Sequence, residues 1–183
     1  ENVYDFSLGN PNVPAPAEVK DAILDIINNE NPVLVHGYMN NSGFEDVRKT
    51  IAEHLNAQYH SRYSEKNILM TVGAAGGMNV ILKTFLNPGD EVITFTPYFG
   101  EYRSYVGNYG GVLVEAATKE PAFEPDLADF AAKITNKTKI VIINSPNNPT
   151  GVVYSERTLV EIAEILYEKQ ALLKQPIYLL SDE

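Results

Sequence analysis

The sequence predicts an α/β fold with a mostly parallel sheet flanked by helices, and two observations carry that prediction. From Asn67 onward, short apolar runs of strand length alternate with longer segments of helical periodicity. Such alternation favours parallel strands joined by helical crossovers on both faces. In addition, two polar clusters each directly follow an apolar run: Asn144-Ser145-Pro146-Asn147-Asn148-Pro149-Thr150-Gly151 and Ser181-Asp182-Glu183. Open α/β sheets bind ligands just beyond the carboxyl ends of their strands, where both clusters fall.

Pro11, Pro14 and Pro16 make the first segment extended and irregular, because each fixes φ and lacks an amide. A helix follows with Val19, Ile23, Ile26 and Ile27 on one face, and Asn28 to Pro32 ends it. Ser42-Gly43-Phe44-Glu45 fits a capping box, and the helix it opens sets Phe44, Val47, Ile51 and Leu55 at core spacing. Strands are expected at Ile68–Val72, Glu91–Phe95, Val112–Glu115, Lys139–Asn144 and Ile177–Leu180. Helices are expected at Gly76–Leu86, Phe99–Asn108, Asp126–Ile134 and Ser155–Lys169. The Gln170–Gln175 region reads as a small surface extension. Residues 1–60 are expected to form an arm and helices packed against the sheet, and 61–183 part of a large α/β domain.

Composition narrows the function classes. A net charge of −10 argues against non-specific binding to nucleic acid or anionic membranes. The absence of cysteine excludes disulfides and thiolate metal sites and fits a reducing, cytoplasmic compartment. No apolar run approaches the roughly 20 residues of a membrane span. His36, His54 and His60 have no metal-ligand or triad spacing, so no metal is expected. Glu1 and Glu183 are expected to be cuts in a longer protein.

Four features can carry chemistry. Gly73-Ala74-Ala75-Gly76-Gly77 lies between an apolar run and an apolar helix; it suits either an anion at a helix N-terminus or a tight packing turn. Phe99, in Thr96-Pro97-Tyr98-Phe99-Gly100-Glu101-Tyr102, suits either stacking on a ligand or the core. Asn148 lies in a turn where Pro149 fixes one backbone angle and Gly151 permits a tight reversal. Asp182 places a carboxylate at a strand end.

Taken in order, these motifs resemble the aspartate aminotransferase family, class I/II pyridoxal 5'-phosphate (PLP) enzymes of fold type I. The resemblance runs from Leu8 to Glu183 and implies an incomplete large cofactor-binding domain of an enzyme transferring an amino group from an amino acid to a 2-oxo acid. It implies that Gly73, Ala74 and Ala75 meet the cofactor phosphate, with Ala75 supplying only its amide where relatives carry a hydroxyl or basic residue. It further implies that Phe99 supports the ring face, Asn148 donates to the phenolic oxygen, and Asp182 pairs with the pyridine nitrogen. Leu8-Gly9-Asn10-Pro11 resembles the entry segment in which the glycine backbone meets the substrate carboxylate. Tyr38, followed by Gly43 and Arg48, resembles a pattern whose tyrosine reaches the phosphate of a partner subunit, which implies a homodimer. The catalytic lysine is expected beyond Glu183, since none of the lysines present, including Lys83, Lys139 and Lys174, matches it. The chain alone is therefore expected to be inactive. A carbon–sulfur lyase and a non-catalytic PLP-binding regulator module are the alternative readings.

Overall fold

The computed structural model describes residues 13–183. Two compact units divide the chain, Glu1–Leu69 and Met70–Glu183. Among the described residues no helix is long and apolar enough to cross a membrane.

The first unit contains α1 (Ala17–Asn29), α2 (Pro32–Val35), α3 (Glu45–Tyr59) and a 3-10 turn at Glu65–Asn67. The helix expected from Val19, Ile23, Ile26 and Ile27 forms, but all four side chains remain exposed. The capping box does not form. Asn40 Oδ1 instead accepts from the Ser42 amide at 3.3 Å and hydroxyl at 3.2 Å, within a turn closed by Gly43 N donating to Asn40 O at 2.8 Å. This local turn engages the expected cap, and α3 starts after Phe44 with no side-chain cap. Its buried residues also differ from the predicted face: Phe44 and Val47 are exposed, whereas Arg48 and Ala52 are buried. Arg48 donates from Nε to Gly43 O at 3.2 Å and from Nη1 to Glu65 O at 2.5 Å, joining the two ends of the helical segment.

In the second unit α4 (Gly73–Phe85), β1 (Glu91–Phe95), α5 (Glu101–Gly107) and β2 (Val112–Ala116) come first. A two-stranded hairpin, β3 (Thr118–Lys119) and β4 (Glu124–Pro125), precedes α6 (Leu127–Lys133), β5 (Thr138–Asn144), α7 (Glu156–Leu173) and β6 (Tyr178–Asp182). The main sheet is parallel throughout, in the order β2-β1-β5-β6. Alternate residues of its central strands enter opposite cores. Val92, Ile140 and Ile142 pack with Met78 and Leu82 of α4 and with Tyr102 and Val106 of α5. Ile93, Phe95, Val141 and Ile143 pack with Phe130 of α6 and with Ile162 and Leu166 of α7. Burial on both faces explains why β1 and β5 read as continuous apolar runs. Each such side chain contributes about 1.5–3 kcal/mol through its burial.

Four of the five expected strands appear within one or two residues of their predicted bounds. Ile68–Val72 does not pair: no strand lies beside it among the described residues, and Leu69 and Val72 are exposed. Strand-like composition without a ladder partner leaves extended backbone only. Helix α4 begins at Gly73, three residues earlier than expected, and α7 runs on to Leu173. The supposed surface extension is therefore largely helix. Its ends are tied to the sheet by Gln170 Oε1, accepting from Ile177 N at 2.9 Å, and by Gln175 Nε2, donating to Thr138 O at 3.3 Å.

Candidate cofactor site

The strand order creates the site. The chain runs from β1 outward to β2, then returns to place β5 on the other side of β1. At such a reversal the connections leave in opposite directions and open a crevice beyond the strand ends. Phe99 follows β1, the Asn144–Gly151 loop follows β5, and Asp182 ends β6. Three predicted positions from distant parts of the sequence thus share one edge of the sheet.

The β5 loop is shaped from within. Buried Asn147 accepts at Oδ1 from the Thr150 amide at 3.2 Å and from its hydroxyl at 2.8 Å. The Asn147 amide donates to Val152 O at 2.8 Å, and Gly151 N donates to Asn147 O at 2.7 Å. Gly151 has φ +74°, a conformation open to glycine at little cost. The turn leaves Asn148 exposed, and its side-chain amide makes no hydrogen bond among the described residues. Its backbone N–H donates to Asn144 Oδ1 at 2.6 Å.

Asn144 and Asp182 are paired across the last step of the β5–β6 ladder. The Asn144 Nδ2 group donates to Asp182 O at 2.8 Å. Asp182 is half-buried, and its Oδ2 accepts from the Tyr102 hydroxyl. Tyr102 is 1% exposed, and burial first, then the bond to Asp182, raises its pKa well above the usual phenol range. The phenol therefore stays protonated and donates to the carboxylate. Asp182 Oδ1 accepts no hydrogen bond among the described residues and is available to a cationic ring N–H. Phe99 is half-buried and meets Tyr102 edge-on, with ring centroids 5.7 Å apart.

Helix α4 begins with the predicted small-residue run. Gly73, Ala74 and Ala75 form its first turn rather than a loop before it, and all three are exposed. Gly73 has φ +68°, which L side chains rarely adopt. No side chain caps this end and no acidic residue lies in its first turn; the Gly73 amide donates to Thr71 O at 3.0 Å, and the partial positive charge of the helix end is not offset by a carboxylate in that turn. A helix end of this kind fits a phosphate, an aromatic face fits a planar ring, and the free amide and carboxylate fit a phenolic oxygen and a ring nitrogen. The donor set thus suits PLP. Exposed Tyr38 belongs to the first unit, and Gly9 lies outside the described residues.

Sequence reasoning quoted Asn144 and Tyr102 without giving either a role. The available signals were spacing. Asn144 lies four residues before Asn148 at the last strand position, and Tyr102 lies three after Phe99, near the start of α5.

Comparison with known proteins fits this arrangement. The family model for class I and II aminotransferases matches residues 1–175. An aspartate aminotransferase of Sulfurisphaera tokodaii is 34% identical over 99% of this chain and 43% of its own length. A probable aspartate/prephenate aminotransferase of Aquifex aeolicus is 34% identical over all of this chain and 44% of its own length. An aminotransferase crystal structure from Eubacterium rectale superposes with a TM-score of 0.97 at 39% identity, covering all of this chain and 46% of its own. The Thermotoga maritima aspartate aminotransferase gives 0.87 at 30% identity, again over all of this chain and 46% of its own. The chain spans less than half the length of these relatives. Members of this family use pyridoxal phosphate, and on its sequence and fold alike this chain belongs to the class I and II aminotransferases.

Proposed function

We propose that the protein containing this chain is a PLP-dependent aminotransferase that moves an amino group from an amino acid to a 2-oxo acid. The observation that carries the reading is the convergence of Asn148 and Asp182 on one sheet edge, bridged by Asn144. When bound, PLP supplies an electron sink that stabilises negative charge at the substrate α-carbon. In this reading the Asp182 carboxylate keeps the proton on the ring nitrogen, because a nearby negative charge favours the protonated form. The Asn148 amide donates to the phenolic oxygen. Phe99 excludes water from one ring face, while the first turn of α4, at Gly73, Ala74 and Ala75, holds the phosphate. Gly9 meets the substrate carboxylate, and the lysine that carries the cofactor belongs to the longer protein.

The same reading makes residues 1–60 an N-terminal arm with helices, and residues 61–183 part of the cofactor-binding domain. It also makes the enzyme a cytoplasmic homodimer. Exposed Ile23, Ile27, Leu34, Phe44 and Val47 supply apolar surface for a second copy, and fully exposed Tyr38 suits a reach towards the partner's phosphate.

The test uses the full-length protein supplied with PLP and a panel of amino acids and 2-oxo acids. Formation of a new amino acid, together with one pyridoxyl adduct after borohydride reduction, is the expected result. Release of ammonia and pyruvate would instead assign a lyase, and a folded protein with no adduct would remove the PLP reading.

A further inference from the structure

The β5 loop is built by one asparagine and anchored by another. Asn147 and Thr150 define the turn through bonds internal to the loop. They do not fix where the turn sits relative to β6. Among the described residues, Asn144 is the one side chain bonded to both the loop and β6. Its Oδ1 accepts from the Asn148 N–H at 2.6 Å and its Nδ2 donates to Asp182 O at 2.8 Å. Asn144 stands directly opposite Asp182 in the parallel register, so the link adds one side-chain rung where β5 leaves the sheet. Each functional side chain is attached within one residue of a backbone atom that Asn144 holds.

We infer that Asn144 is a positioning residue that locks the Asn148 amide and the Asp182 carboxylate into one fixed arrangement against the cofactor ring. The inference rests on the PLP reading above. An asparagine meets both demands because one planar group offers an acceptor and a donor about 2.3 Å apart, in opposite senses. Alanine offers neither. Aspartate retains the acceptor but sets a charge against the Asp182 carbonyl.

A donor to the phenolic oxygen favours the deprotonated form of the bound cofactor chromophore, so misplacing that donor raises the chromophore's pKa. In the full-length holoprotein, the absorption band of bound PLP is titrated for wild type, Asn144→Ala, Asn148→Ala and the double variant, with thermal melting alongside. Asn144→Ala is expected to raise the midpoint by roughly one pH unit, the size of one weakened hydrogen bond. Asn148→Ala is expected to raise it at least as far, and the double variant no further than Asn148→Ala alone.

A lower melting temperature with an unmoved midpoint in Asn144→Ala would make Asn144 merely structural and overturn the inference. Additive shifts in the double variant would overturn it as well, since Asn144 would then act independently of Asn148. An unmoved midpoint in Asn148→Ala removes the donor on which the inference depends. A wild-type protein that binds no PLP defeats the functional reading itself, and is distinguishable by the missing band. If Asn144→Ala does not fold, Asn144→Gln keeps both polar groups but displaces them by one methylene, and the same rise is expected.

Discussion

Asp182 and its neighbours show how one buried side chain can set the chemistry of another. The Tyr102 hydroxyl occupies Oδ2 of Asp182, which leaves Oδ1 for a ligand. In the proposed PLP reading, replacing Asp182 with Ala removes the carboxylate that stabilises a ring cation, and turnover of the full-length protein should fall by roughly 10²-fold or more. Steady-state kinetics with cofactor-saturated protein checks this, and unchanged turnover would strip Asp182 of its role. Tyr102 and Tyr154 make a second prediction. Burial, with a smaller contribution from Glu124, pushes the Tyr154 pKa up to about 12 from the ordinary value of 10.0. A raised folded-state pKa contributes stability that is complete below pH 10 and is lost as pH rises towards about 12. Tyr102 acts with the same sign through its burial and its bond to Asp182. Denaturant melts between about pH 9 and pH 12 should therefore show falling stability, with Tyr154 responsible for on the order of 2 kcal/mol. The variant Tyr154→Phe should flatten that slope while changing little at neutral pH, and an equal slope in both proteins would refute the assignment.

Helix ends and strand edges show where local chemistry decides an element and where it does not. Asp126 caps α6 by accepting from Ala128 N at 3.0 Å and Asp129 N at 3.2 Å. Ser155 caps α7 by accepting from Thr158 N at 3.1 Å. The helices expected from the sequence open at Asp126 and Ser155 with neither residue named as a cap, and each amide lies two or three residues from the oxygen that accepts from it. Asp126→Ala and Ser155→Ala should each cost about 1 kcal/mol, measurable by urea denaturation of the full-length protein. A cost near zero would mean that water serves those amides equally well. The Ser42 box failed at the same range because Asn40 competes for the serine. Ile68–Val72 failed for a different reason. Its composition suits a strand, but a ladder requires a neighbour that no local pattern specifies. The exposed apolar face of α1 follows the same rule, since periodicity identifies a face and not what covers it.

At the scale of the molecule, a dimer that shares its sites follows from the proposed role of Tyr38. The full-length enzyme should sediment as a dimer, and Tyr38→Phe should weaken PLP binding by about tenfold through loss of one hydrogen bond. Fluorescence titration of the cofactor checks the second point; unchanged affinity in a dimeric protein would exclude Tyr38 from the phosphate site. The sequence by itself determined the fold class, four of the paired strands and the positions of Asn148 and Asp182. Those depend on periodicity and on short motifs, which act over a few residues. Only the tertiary structure decided the order β2-β1-β5-β6, and with it the crevice between β1 and β5. It alone brought Tyr102 to Asp182, 80 positions away, and set Asn144 opposite Asp182, 38 positions away. Such contacts depend on which strands become neighbours, and that choice follows from burying both faces of the sheet at once.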